Sequence, residues 1–297
     1  MVDRSGSATR AILLSLLALT LFDFMGLIIK HLSPYYSAAE LSAYRNIFGL
    51  VPSILVLWWS RDWQSRGRPL AMRQWKLGLF RGVVVATAQL LFYFSLSQMA
   101  FATASTLSYS NAIFMTAMAV PLLGERVGWM RWSAVLVGFC GVIWIMRPGS
   151  EVFSLAALAP VGAGFCYALS GVLSRLVDED VPTPLINLYS AVCAVFAALA
   201  LALALGGFSP LAKATDILWI VAMGGFGGFA VLALIVSYRM TEQSNLAPFS
   251  YFGIPIAFFL GWVFFDEAPW ADLFPGAILI IIGGLMVIWR ERRRKRA

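Results

Sequence analysis

The feature that most constrains this chain is a succession of ten apolar runs, each close to twenty residues long and parted by short polar breaks. They lie at approximately 10–30, 38–59, 75–98, 102–123, 129–147, 153–175, 184–206, 216–239, 246–265 and 271–290. A membrane-spanning helix needs about 20 mostly apolar residues, whereas a spanning strand needs only about 9–11 of alternating polarity. Runs of the longer kind, apolar on every side, predict helices. Hydrocarbon offers no partner to a free backbone amide or carbonyl, so the connections belong at the two membrane surfaces. Only 12% of the 297 residues are charged and 60% are hydrophobic, against roughly 25% charged in a soluble domain. The expectation is therefore an all-α integral membrane protein with ten transmembrane helices and no room for a separate soluble domain.

The net charge of +7 does not form a nucleic-acid-binding stripe, because six of the 22 Lys and Arg close the chain as Arg290, Arg292, Arg293, Arg294, Lys295 and Arg296. Basic residues flanking a span mark the cytoplasmic side. With an even number of spans and the N-terminus inside, 17 of the 22 cations fall on the cytoplasmic side, while Lys30, Arg147 and Lys213 fall outside and Arg45 and Arg81 lie within spans. Both termini are thus expected in the cytoplasm. The acidic cluster Asp178, Glu179 and Asp180 runs against this assignment, although acidic residues count little in the rule. Span 1 exceeds a signal-peptide core in length, contains Asp23 and precedes nine more spans, so it reads as a helix. Cys140, Cys166 and Cys193 are scattered in apolar runs and read as small hydrophobes. With His31 the single histidine, no metal centre or cofactor is expected.

The chain falls into two halves, 1–149 and 150–297, of five spans each. Ser108 and Ser250, Tyr109 and Tyr251, Glu125 and Glu267, and Gly141 and Gly283 share an offset of 142. Five identities in 52 aligned positions are near chance. The shared plan is a fourth span ending at Glu, a polar break, and a fifth span with a matched Gly. Halves with an odd number of spans must enter the membrane with opposite orientation, which is the inverted-repeat construction of many secondary transporters.

The ten-span plan, the five-plus-five halves, and the stretches PLLGE at 121–125 and FFDE at 264–267 resemble the drug/metabolite transporter superfamily, and within it the EamA-type permeases. Asp266 departs from the Gly usual before that Glu. Among these permeases the chain is most similar to bacterial inner-membrane exporters of aromatic and other neutral amino acids. The resemblance implies a central cavity lined mainly by spans 1, 3, 4, 6, 8 and 9, with spans 5 and 10 peripheral.

Asp23 is the one carboxylate well inside a span, and an ionisable group there is expensive enough to suggest a role. Arg45 lies at a similar depth on the next span. An Asp23–Arg45 ion pair, a gating or proton-coupled carboxylate, and unrelated solvated positions are the open readings. Arg81, with no acid at its level, either snorkels to the surface or attracts a substrate carboxylate. Candidate substrate-binding residues are Thr87, Gln89 and Tyr93 on span 3, Ser108 and Asn111 on one face of span 4, Tyr167 and Ser170 on one face of span 6, and Ser250 and Tyr251 on span 9. Pro248 and Pro255 are expected to kink span 9. Each hydroxyl equally serves its own helix. In span 8, Gly224, Gly225, Gly227 and Gly228 suggest close helix packing or a bend. No GxxxxGK occurs, so the chain carries no nucleotide-hydrolysing loop of its own. The expected activity is secondary transport of amino acids, outward, by alternating access. The alternative is a carrier of another metabolite or drug, such as a nucleotide-derived cofactor or a lipophilic cation. An intramembrane enzyme would need a clustered nucleophile and base that the sequence does not offer.

Overall fold

A computed structural model describes residues 4–124, 129–146, 155–178, 180–240 and 252–294, and all regular structure in them is helical. In chain order the helices are α1 (Arg4–Leu32), α2 (Ala38–Trp58), α3 (Arg61–Ser65), α4 (Trp75–Gln98), α5 (Phe101–Ser108), α6 (Asn111–Leu123), α7 (Trp129–Met146), α8 (Leu158–Arg175), α9 (Thr183–Ala204), α10 (Asp216–Met240), α11 (Gly253–Phe265), α12 (Trp270–Leu273) and α13 (Gly276–Arg294). Among the described residues, six stretches are long and apolar enough to cross a membrane: 10–32, 38–58, 75–98, 101–123, 184–204 and 216–234. Leu13, Val51, Ile54, Phe80, Leu136 and Phe196 are exposed on the outer faces, where hydrocarbon rather than water is their natural solvent.

One boundary differs from the sequence expectation. Span 4 is not one helix: α5 stops at Ser108 and α6 starts at Asn111, with Tyr109 and Ser110 in a turn between them. Ser108 and Asn111 therefore flank a break instead of sharing one face. In span 9 the described helix α11 begins at Gly253 with Pro255 in its first turn, and the expected kink involves residues 241–251, Pro248 among them, which lie outside the described residues.

The helices are anchored where side chains satisfy free backbone groups. Ser37 opens α2 with a capping box, its oxygen accepting from the Glu40 amide at 3.2 Å while the Glu40 carboxylate accepts from the Ser37 amide at 2.6 Å. Glu40 also accepts from the amide of Ser209, and the Tyr36 hydroxyl, which accepts from the Ala212 amide at 3.0 Å, donates to Asp216 at 2.8 Å. The start of α2 thereby pins the connection from α9 to α10.

Principal packing runs α1 on α10, α7 on α13, α4 on α8, α2 on α9, α4 on α9, α10 on α2 and α6 on α8, with smaller contacts of α5 on α11, α2 on α4, α5 on α8, α1 on α11 and α6 on α7. The α10 glycines serve this packing. Added Cβ atoms at Gly224 and Gly228 would strike Phe48 and Pro52 of α2, a GxxxG contact of the close-approach kind. Gly141 of α7 and Gly276 of α13 likewise meet backbone to backbone.

Candidate substrate chamber

The interior of the bundle is organised around polar groups that three helices bring together. On α2, Ser42, Arg45 and Asn46 point inward one turn below the cap. The Asn46 amide donates to the Ser42 carbonyl at 2.8 Å and to the side-chain oxygen of Gln89 on α4 at 2.6 Å. Arg45 Nη1 donates to the Asn46 oxygen at 3.3 Å, while its Nε is buried and without a partner among the described residues. The guanidinium has room because α10 places Gly227 there: a Cβ at that position would lie 3.1 Å from Arg45 Nε and 2.7 Å from the sulfur of Met25 on α1. Ser42 and Asn46 escaped the sequence argument, although an i, i+4 pair of polar residues within an apolar run was the available signal.

Asp23 and Arg45 do not form the expected ion pair. Asp23 is 6% exposed and its Oδ2 has no partner among the described residues, yet no Arg45 nitrogen lies within 4.0 Å of its carboxylate. The reason is azimuth, not depth. Met25 packs against Gly227, which Arg45 also approaches, and Asp23, two residues earlier, lies about 200° round the helix at roughly 100° per residue. It lies on the same side as Gly26, which abuts Phe101 of α5. The phenol near Asp23 is accordingly that of Tyr109, in the α5–α6 break.

The break is a junction between distant parts of the chain. The Tyr109 hydroxyl lies against Gly253 at the start of α11, so closely that a side chain there would collide with it. From the other side Gly164 of α8 presses on the Ser108 carbonyl and on Ser110, 2.9 Å from where its Cβ would stand. One turn along α8, Tyr167 falls within electrostatic reach of Tyr93 on α4 and of Arg45. Tyr93 is 1% exposed, and its hydroxyl, like those of Thr106 and Ser110, has no partner among the described residues. The polar groups therefore fall in two sets along an arc, Asp23 with Tyr109 on α1 and the break, and Tyr167, Tyr93 and Arg45 on α8, α4 and α2, with one turn of α8 from Gly164 to Tyr167 between them.

The other sequence candidates fall on either side of this arc. Gln89 is within it. Ser170 is buried, and its backbone carbonyl accepts from Arg81 Nε at 3.1 Å, so Arg81 ties α4 to α8 instead of reaching out alone. Thr87 and Ser108 donate to the carbonyls of Val83 and Ser105 at 3.0 and 2.8 Å and so serve their own helices. Asn111 opens α6. Ser250 and Tyr251 lie outside the described residues.

At the end of the bundle where α1 finishes, a second network closes over the arc. Lys30 Nζ meets Glu267 at 2.7 Å and donates to the Met99 carbonyl at 2.7 Å, while Glu267 accepts from the Phe101 amide at 3.0 Å and so caps α5. It joins α1, the end of α4, α5 and the end of α11. A cavity of about 650 Å³ opens beside it, with Lys30, Tyr35, Leu96, Gln98 and Glu267 in its wall.

Apolar helices of membrane-crossing length that enclose unpaired charges and phenols define a membrane carrier. The EamA-like transporter family model matches residues 9–147 and again residues 154–289, and the chain belongs to that family. It is 25% identical over 284 residues to an S-adenosylmethionine uptake transporter of Rickettsia bellii, covering 95% of this chain and 93% of that one. It is 31% identical over 195 residues to a riboflavin transporter of Rhizobium johnstonii, covering 65% and 63%, and 24% identical over 275 residues to a pseudopaline exporter of Pseudomonas aeruginosa, covering 91% and 93%. A solved structure shares the fold with a TM-score of 0.65 at 20% identity, over 96% of this chain and 98% of its own. The chain is thus a multi-pass membrane transporter.

Proposed function

We propose that this transporter carries a flat, amphiphilic metabolite of nucleoside or flavin size across the bacterial inner membrane, as a ten-span protein of two inverted halves with both termini cytoplasmic. The observation that carries the substrate class is the arc of three phenols between a buried carboxylate and a buried guanidinium. Aromatic walls with a few fixed polar groups suit heteroaromatic solutes. The relatives named for S-adenosylmethionine and riboflavin favour this reading over the export of aromatic and neutral amino acids that the sequence suggested. Two features support the inverted halves. The family model fits the chain twice, at residues 9–147 and 154–289. Exchanging the first five spans with the second five also turns each of the six most extensive helix pairings into another of the six or into itself, although the smaller contact of α2 with α4 has no such counterpart among the described residues.

In this reading the Lys30–Glu267 end faces outward and is the closed side, and Thr87, Ser108, Asn111, Ser170, Ser250 and Tyr251 surround the path on which alternating access moves the solute. Asp23 is the group through which a proton gradient would act, and Arg81 braces the cytoplasmic half.

The test is uptake into proteoliposomes of labelled S-adenosylmethionine, riboflavin and a panel of aromatic and neutral amino acids, with and without an imposed pH gradient. Saturable uptake of either heteroaromatic compound, with the amino acids excluded, is expected. Counterflow of amino acids alone would return the protein to the amino-acid reading. A pH gradient that drives uptake by wild-type protein but not by Asp23→Asn is expected if protons are coupled, and indifference of the wild type to the gradient removes that part.

A further inference from the structure

Charged side chains inside this bundle are nearly all committed. Glu40 is held by the amides of Ser37 and Ser209, Asp216 by Tyr36 and the Lys213 amide, Glu267 by Lys30 and the Phe101 amide, and Arg81 by the Ser170 carbonyl. Asp23 and Arg45 are the exceptions: Asp23 is more than nine-tenths buried with Oδ2 free, and Arg45 Nε is buried and free, among the described residues. Arg45 is held in place by Asn46, itself fixed by Gln89, but both of these are neutral and leave its charge uncompensated.

Opposite charges left in a low-dielectric interior are expected to pair with each other, because each is costly alone. Here the α1 helix keeps them apart: Met25 occupies the face towards Arg45, and Asp23 lies on the face towards α5. Tyr109 and Tyr167 stay only partly buried, and Tyr93 is buried with its hydroxyl without a partner among the described residues. A ligand lying along the arc meets at one end a carboxyl that a cation would hold ionised, aromatic faces in the middle and a guanidinium at the other end.

Resting on the carrier reading above, we infer that the transported molecule is dipolar: a cationic group compensates Asp23, a flat ring lies among the phenols, and a carboxylate or similar anion accepts from Arg45. Such a molecule recovers both desolvation costs in one binding event. An uncharged ring compound recovers neither, so the site discriminates by charge between solutes of similar size.

The experiment compares S-adenosylmethionine, its decarboxylated derivative and riboflavin in wild-type proteoliposomes, then repeats the series with Arg45→Gln, Arg45→Lys and Asp23→Asn. Wild-type protein is expected to take up S-adenosylmethionine at least tenfold more efficiently, in kcat/KM, than either of the others. With no pH gradient imposed, Arg45→Gln should bring the ratio of S-adenosylmethionine to decarboxylated uptake to about one, Arg45→Lys should restore part of that ratio, and Asp23→Asn should lower S-adenosylmethionine uptake relative to riboflavin. The inference is overturned if riboflavin is the better substrate, if removing the carboxylate changes nothing, or if each variant lowers all three compounds equally. The wild-type comparison needs no variant and stands even where a variant fails to fold. Failure of all three compounds, by contrast, overturns the carrier reading itself.

Discussion

At Gly227 a single missing side chain makes room for a buried charge. A methyl group there would stand 2.7 Å from the Met25 sulfur and 3.1 Å from Arg45 Nε. Gly227→Ala is therefore expected to cost about 1–3 kcal/mol as an overpacked core does, and to raise KM by displacing the guanidinium. Thermal unfolding in detergent and uptake kinetics measure the two effects separately. Gly225 has open space around it, and Gly225→Ala is the control expected to be near neutral. At this scale the sequence was legible in part. Asp23 and Arg45 stand out as charges in apolar runs, and their depth follows from counting residues. Which way each one points depends on neighbours far away in sequence, such as Gly227 and Phe101, and no count along one helix supplies it. Gln89 could be named from its polarity, but its partner Asn46 became visible only when α2 and α4 were set side by side.

Among the elements, the instructive one is span 4, whose hydropathy is continuous across a break. The turn at Tyr109 and Ser110 is stabilised from outside, by Gly164 and Gly253 packing on it, and hydropathy does not register such contacts. The end of α11 shows the same dependence. Glu267 reads in the sequence as the close of an apolar run, and in the structure it caps α5 and holds Lys30, which also donates to Met99 at the end of α4. Glu267→Gln keeps an acceptor for the Phe101 amide and removes the ionic partner of Lys30. A charge-assisted contact of this kind contributes about 1.5–3 kcal/mol, so the closed end should loosen. The expected result is faster maleimide labelling of Leu96→Cys, a buried residue in the wall of the adjoining cavity, measured after Cys140, Cys166 and Cys193 are replaced by Ala. Unchanged labelling would show that the ion pair does not hold this end shut.

For the molecule as a whole, the succession of apolar runs fixes the helical, membrane-crossing character, whereas the pairing of α1 with α10 and α4 with α8 is a matter of tertiary contact that hydropathy alone cannot order. One such contact has a pH signature. Burial, and then the Asp216 carboxylate to which it donates, hold the Tyr36 phenol above its ordinary value of 10.0. A group that binds its proton more tightly in the folded state adds stability at neutral pH and loses it as the solution is raised past the unfolded value. The connection between α9 and α10 should therefore release above about pH 10, seen as faster amide exchange at residues 205–215, and Tyr36→Phe should abolish that alkaline dependence. The junction of Tyr109 with Gly253 reaches furthest. By the offset of 142 the partner of Gly253 in the first half is Asn111, and the partner of Tyr109 in the second is Tyr251. One half thus carries a side chain where the other carries none. If the halves descend from one duplicated ancestor, this position has diverged into knob and socket, and a chimera of two first halves would set Tyr109 against a filled socket.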